Sequence, residues 1–351
     1  MKTAPAILRN PLCWCIAALC AAALVFAGTR PLLNEPQLLS VSGPAMGTHY
    51  TVKVVSPPAR VDPKQLQADI GGTLAEVDSL MSTYREDSEV SRLNRFGRTE
   101  WFGVSRHTAA VIDEARRIAE LTDGAFDVTV GPLVDLWGFG PEKAGGDAPP
   151  STDAISRAAG RVGFENVEVR LSPPAVRKRR ADIHLDLSGI AKGFAVDQIA
   201  ARLDACGIEN YLVEVGGELR AKGHNQDGRP WQIAVESPLA GTREIQKVVA
   251  LQKLAMATSG DYRNYYEHNG VRYCHIIDPR TGRPISHRLA SVTVLCPSCA
   301  RADALATALL VLGPEDGYEL AIRRRLAALL VIKGDAGFVE RATPRFTQIL
   351  Q

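Results

Sequence analysis

Several signals are missing from this 351-residue chain. It has no run of five or more Lys and Arg, and its formal net charge is only +2, so no electrostatic footprint for nucleic acid is visible. The densest basic stretch, Arg177-Lys178-Arg179-Arg180, reads as a solvated loop. Neither G-x-G-x-x-G nor the phosphate-loop pattern G-x-x-x-x-G-K-[ST] occurs, which removes the two common nucleotide-binding signatures. Cys296-Pro-Ser-Cys299 has C-x-x-C spacing, but no matching second pair completes a zinc set, leaving incidental thiols or a local disulfide. No short internal repeat is present.

What remains is 46% hydrophobic and 23% charged, with 30 Gly and 21 Pro: a soluble globular composition sufficient for one large domain or two closely packed lobes. Lys2 and Arg9 precede an uncharged apolar stretch from Pro11 to Ala27. Its length and flanks match a secretory signal peptide, with a retained membrane anchor as the alternative. Either reading puts the folded body outside the cytoplasm, in the periplasm, free or held at the inner membrane. Residues 28–45 are polar and aperiodic and read as a linker, so the domain is expected over 46–351.

Thr48–Val55 alternates as a strand does. Pro63–Met81 carries an apolar stripe at Leu66, Ile70, Leu74, Val77, Leu80 and Met81, and Ser105 caps a second helix reaching Leu121. Phe126–Val130 is expected to be extended, and Gly138–Pro150 to be a surface loop. Strands are expected near Val167–Arg170 and Asp182–Leu187, then a helix over Gly189–Cys206. Further strands follow to Leu295, then an apolar helix over Ala300–Leu312. This irregular alternation predicts an α+β fold with mostly antiparallel sheets and packed helices.

Three segments carry chemistry. Asp303 and Thr307 lie one turn apart on an otherwise Ala/Leu/Val helix, where an acid is costly unless exposed or paired. The pair suits a hard cation such as Mg²⁺; a helix-terminal acid and a back-bonded threonine are the bland alternative. His184–Gly193 runs from strand through a Gly-bearing turn into a helix, an anion-binding junction in which Asp186 and Lys192 can grip a ligand. The third is Ala257–Tyr262 followed by Cys274–Gly282: His275 and Asp278 sit near a strand end beside the Pro279–Gly282 turn, and His275 has the right ordinary pKa for a general base, though such a histidine is also commonly structural.

Taken in order, Met46-Gly47-Thr48, Ser82-Thr83-Tyr84-Arg85, Gly124-Ala125-Phe126-Asp127-Val128-Thr129-Val130-Gly131-Pro132, Asp186-Leu187-Ser188-Gly189-Ile190-Ala191-Lys192-Gly193, Val215-Gly216-Gly217-Glu218, His275-Ile276-Ile277-Asp278-Pro279 and Ala302–Leu309 strongly resemble the ApbE family, the FAD:protein FMN transferases. The resemblance spans about Met46 to Gly313. It implies a two-lobed α+β fold with FAD in the cleft between lobes and Mg²⁺ beside the pyrophosphate. It assigns the metal to Asp303, Thr307 and a backbone oxygen at Gly189. It assigns FAD contacts to Met46, Tyr84, Ala125, Phe126, Asp127, Asp186, Lys192 and Ile277, and catalysis to His275. Position 189 is Gly where some relatives carry Thr, so any metal contact there must be main-chain. Lys192 stands where some members carry an acid, which leaves its partner open.

The implied reaction moves FMN from FAD to a threonine of a target protein and releases AMP. The implied acceptors carry a segment resembling Asp/Ser-Gly-x-x-Gly-Ala-Thr, as in flavin-bearing subunits of membrane electron-transport complexes. A Mg²⁺-dependent FAD pyrophosphatase and a non-catalytic FAD-binding protein are the alternatives.

Overall fold

The computed structural model describes residues 37–141, 148–238, 245–262 and 264–350. The apolar segment Pro11–Ala27, expected as a signal peptide or anchor, lies outside them. Among the described residues, no helix is long and apolar enough to cross a membrane.

In chain order, β1 (Leu38–Ala45) and β2 (Thr48–Val55) precede α1 (Pro63–Met81), α2 (Glu89–Arg95), β3 (Phe102–Gly103) and α3 (Arg106–Leu121). Next come α4 (Gly131–Leu136), α5 (Thr152–Ala159), β4 (Val167–Leu171), β5 (Pro174–Lys178) and α6 (Ser188–Ala205). Strands β6 (Tyr211–Val215), β7 (Glu218–Lys222), β8 (Trp231–Glu236), β9 (Ile245–Leu251) and β10 (Ala255–Gly260) follow. Then come β11 (Tyr265–His268), β12 (Val271–Cys274), β13 (Ile277–Asp278), β14 (Arg283–Pro284) and β15 (Leu289–Cys296). The chain closes with α7 (Cys299–Leu312), α8 (Asp316–Arg323), β16 (Ala327–Gly334), β17 (Gly337–Ala342) and α9 (Pro344–Leu350).

The frame is an eight-stranded sheet in the order β1-β2-β6-β7-β10-β15-β16-β17, and the pairing within it is antiparallel. The α+β expectation holds. Alternation along each strand divides the apolar residues between two layers. On β16, Ala328 and Leu330 join the main core with the helices, whereas Leu329 and Val331 face a second cluster with Trp231, Ile233 and Phe346. Both faces of the sheet are therefore covered, as the nearly continuous burial of β15 requires.

Four local expectations are corrected. Leu38–Ala45 falls inside the stretch read as a linker, yet it pairs along its whole length with β2; Pro44 is tolerated because β1 is an edge strand. Phe126–Val130 is not extended: Val128–Val130 is a turn of 3₁₀ helix capped by Asp127. Arg177 and Lys178 belong to β5, and Lys178 is buried, its ammonium donating to the carbonyls of Asn94, Ala181 and Ile183. Asp182–Leu187 forms no strand but leads irregularly into α6.

Helices α6 and α7 cross in contact at Gly193. A Cβ there would stand 2.4 Å from the Cys299 carbonyl oxygen and 2.8 Å from the Ala300 Cα, both backbone atoms that cannot rotate away. Gly193→Ala is therefore expected to push the helices apart and lower stability by about 1–3 kcal/mol, read as a fall in thermal midpoint. An unchanged midpoint would mean that this junction yields freely.

Candidate functional site

The crossing of α6 and α7 forms the floor of a cavity of about 380 Å³. Its walls come from the Ala125–Val128 turn, the start of α6, the β6–β7 turn, the end of β10 and the Asn264 and His275–Ile277 segments. Residues far apart in the chain meet here because each lies at the end of an element fixed by the sheet.

Of the residues singled out from sequence, Tyr84, Ala125, Phe126, Asp127, Asp186, Gly189, Lys192, His275, Ile277, Asp303 and Thr307 all line this cavity. Met46 does not. It occupies the β1–β2 turn with φ 51° and packs on the main core. Thr48, two residues on, lies against Gly216 in the cavity wall.

Asp303 is 2% exposed, and its Oδ2 accepts the Gly193 backbone N–H at 3.0 Å. In a regular helix that N–H would serve the Gly189 carbonyl alone, so Asp303 competes for its donor. Thr307 Oγ1 lies 2.9 Å from Ser259 Oγ, and a Cβ on Gly189 would stand 3.8 Å from the same Thr307 oxygen. A carboxylate, a hydroxyl and a main-chain segment thus converge without any cluster of three or more His, Cys, Asp or Glu among the described residues.

Lys192 finds its partners here. Its Nζ is 3.4 Å from Glu218 Oε1 and 3.9 Å from Asp303 Oδ2. Burial works against the lysine charge, but the Asp303 and Glu218 carboxylates outweigh it and hold the ammonium above its ordinary pKa. Burial also drives the carboxyls of Glu218 and Asp303 upward, with Lys192 pulling each back. Two carboxylates face one ammonium, and Glu218 Oε2 is buried without a hydrogen-bond partner among the described residues. The grouping of carboxyl oxygens and the orphaned Glu218 oxygen match the oxygen-rich environment a divalent cation takes. Just above, α6 begins at Ser188, which puts a helix N-terminus and the Lys192 charge beside the same space, a setting for anionic phosphate.

His275 is half-buried at the opposite wall. Its Nδ1 is 3.0 Å from the Asn264 carbonyl oxygen, which can only accept, so Nδ1 carries the proton and Nε2 keeps a free lone pair. Burial lowers the imidazole pKa from its ordinary value, against the opposing effect of the Asn264 carbonyl. A neutral, oriented imidazole of this kind can accept a proton near neutral pH.

Tyr84 is 69% exposed at the rim, its hydroxyl donating to the Phe139 carbonyl at 3.2 Å. Its ring face is available for stacking on a flat ligand. Asp127 has little left to offer a ligand: Oδ1 accepts from the Thr129 amide and hydroxyl, and Oδ2 from the Phe164 amide. It shapes the wall by fixing the turn. Asp186 spends one oxygen on the Ser188 amide at 2.8 Å. Glu218, Ser259 and Asn264 were not assigned roles from sequence. Glu218 and Ser259 fall within segments noticed there, but no spacing reveals a contact across the sheet.

The sequence matches the ApbE family over residues 46–330. It is 47% identical over 330 residues to a Vibrio cholerae protein named FAD:protein FMN transferase, covering 94% of this chain and 97% of that one. A Haemophilus influenzae protein of the same name is 42% identical over 323 residues, with 91% and 93% covered. The solved structure of the flavin transferase ApbE from Vibrio cholerae superposes with a TM-score of 0.83, covering 89% of this chain and 99% of that one.

Proposed function

This chain belongs to the ApbE family, and from that premise we propose that it is an enzyme transferring the FMN half of FAD to a threonine hydroxyl of another protein, with release of AMP. The observation that carries the reading is the pairing, across one cavity, of an oriented neutral imidazole with a buried, partly unsatisfied carboxylate–hydroxyl cluster.

The acceptor oxygen attacks the phosphorus on the FMN side, a new P–O bond forms, and the bond to the AMP phosphate breaks. The hydroxyl proton passes to His275 Nε2, and AMP leaves with the bridging oxygen. Phosphoryl transfer depends chiefly on positioning and charge stabilisation. Lys192 and the start of α6 orient the pyrophosphate, Tyr84 covers the isoalloxazine, and Phe126 and Ile277 keep that end of the cavity apolar. Asp303, Thr307 and the Gly189 carbonyl would hold Mg²⁺. When bound, the ion supplies positive charge beside the phosphate oxygens as negative charge grows on them.

A hydroxyl that gives its lone pair to a cation must send its proton elsewhere, and Ser259 Oγ stands ready for it. Ser259→Ala is expected to weaken Mg²⁺ binding by about 10–100-fold, as loss of an orienting partner does. Isothermal titration of Mg²⁺ into the FAD-loaded protein measures this, and an unaltered affinity would leave Ser259 a packing residue.

We place the reaction in the periplasm, on acceptors with a segment resembling Asp/Ser-Gly-x-x-Gly-Ala-Thr in membrane electron-transport complexes. The direct test incubates the protein with FAD, Mg²⁺ and an acceptor domain carrying that segment. The expected result is an acceptor heavier by one FMN phosphoester, with equimolar AMP. AMP without modified acceptor would instead identify an FAD pyrophosphatase, and neither product a flavin-binding protein.

A further inference from the structure

Asn264 and His275 bracket a hairpin that the reaction as described leaves unused. Strands β11 and β12 pair Tyr265 with Cys274, Tyr266 with Tyr273, Glu267 with Arg272 and His268 with Val271. Their two-residue turn, Asn269-Gly270, has φ of 49° and 75°, the left-handed pair that a tight hairpin needs. In an antiparallel ladder, residue pairs alternate between exchanging both main-chain bonds and exchanging none. With His268 and Val271 closing the turn, the main-chain groups of Tyr265 and Glu267 on one strand, and of Arg272 and Cys274 on the other, point away from the hairpin. Among the described residues, no further strand pairs with either edge.

The two edges differ. Cys274 is buried, which closes the β12 edge at its cavity end, while Tyr265 and Glu267 are exposed. Exposed edges are ordinarily blunted by shortness, charge, Pro or a bulge; the four-residue β11 carries one charge, Glu267, and has no Lys, Pro or bulge to turn a partner strand away. The hairpin is also braced against the cavity wall. Tyr266 stacks on Tyr273 at 5.3 Å, Tyr273 on Trp137 at 5.5 Å, and Tyr266 meets Phe139 at 5.7 Å, whose ring in turn reaches His275 at 6.3 Å. The open edge leads to the base itself. Tyr265 directly follows Asn264, the residue whose carbonyl receives both the backbone N–H and the Nδ1 proton of His275.

We propose that the β11 edge is the docking strand for the acceptor polypeptide, which binds in extended form as a third strand of the hairpin and so brings its hydroxyl to His275 Nε2. This rests on the transferase reading and names how its protein substrate is held. Main-chain pairing supplies affinity with little demand on side chains. Small residues beside the modified threonine suit it, because they let the acceptor backbone approach the strand closely.

The test uses Glu267→Pro, which deletes one outward N–H without removing a ladder bond, and Glu267→Ala, which keeps that N–H and deletes only the side chain. With the full-length enzyme and the acceptor domain of the preceding test, Glu267→Pro is expected to raise the acceptor KM by about ten-fold or more. Glu267→Ala should stay within about two-fold of wild type, and FAD affinity, read from flavin fluorescence, should be unchanged in both. An acceptor KM unaltered by Glu267→Pro overturns the proposal, as does an equal rise in both variants. If Glu267→Pro also loses FAD, acceptor peptides N-methylated at alternate residues beside the threonine decide the matter. Methylation on one alternation must then abolish docking; tolerance of both overturns the proposal. A wild-type enzyme that never labels the acceptor removes the transferase reading first, and the docking strand with it.

Discussion

Replacing His275 with alanine is expected to slow flavin transfer by about 10²–10⁴-fold, the usual worth of a positioned general base. FAD affinity should change little, because the imidazole's one described polar bond goes to the Asn264 carbonyl, through Nδ1, and its free nitrogen awaits a proton. The pH profile supplies a second reading. Only the neutral imidazole can act as a base, and burial holds its pKa below the ordinary 6.5. The wild-type rate should therefore be level near neutrality and fall as pH drops through that lowered value. His275→Ala should lose this acid limb together with the rate. His275→Asn, which can still donate to the Asn264 carbonyl, should keep the local geometry and remain slow. If either variant loses FAD affinity while turning over normally once saturated, the histidine is a binder and the base lies elsewhere.

The parts of this site that could be read in the sequence share one property: their meaning depends on residues close by in the chain. Asp303 and Thr307 announce themselves because an acid and an alcohol one turn apart interrupt a run of Ala, Leu and Val. The Ser188 junction shows as a Gly-bearing turn before a helix. Strand–helix order was enough for the α+β class. What could not be read depends on distant neighbours. Ser259 reaches Thr307 across 48 positions, and Glu218 reaches Lys192 only because the β6–β7 turn rises beside α6. Lys178 looks like part of a solvated basic run until β5 carries it inward to three carbonyls. Asp127 lies in the cavity wall, and its carboxylate accepts from Thr129 in the turn it caps and from the Phe164 amide 37 positions away, a partner no local pattern reveals. β1 escaped notice because its burial alternates weakly, as an edge strand allows.

Asp303 is the position at which stability and chemistry are hardest to separate, and two substitutions separate them. Asp303→Ala removes the acceptor of the Gly193 N–H and breaks the balance of Lys192 with its two carboxylates. The Gly193 N–H falls back on the Gly189 carbonyl, but removing one member of a buried charged cluster costs about 1–3 kcal/mol, so this variant should melt earlier as well as lose activity. Asp303→Asn is the sharper probe. Its amide oxygen still accepts from Gly193, and the side chain keeps its volume, so the fold should hold. The loss is the carboxylate charge at position 303, and Lys192 keeps Glu218 as its remaining partner. A divalent cation would then meet only neutral oxygens at Thr307 and Gly189, with Lys192 repelling it. Forfeiting the several kcal/mol of charge stabilisation that such an ion contributes corresponds to about 10³-fold in rate, at 1.4 kcal/mol per decade. Asp303→Asn is therefore expected to melt near the wild-type temperature, to show no Mg²⁺ binding by titration, and to transfer flavin about 10³-fold more slowly. Wild-type turnover with an unaltered Mg²⁺ affinity in this variant would detach the metal from Asp303, and with it the account of why an acid is buried in so apolar a helix.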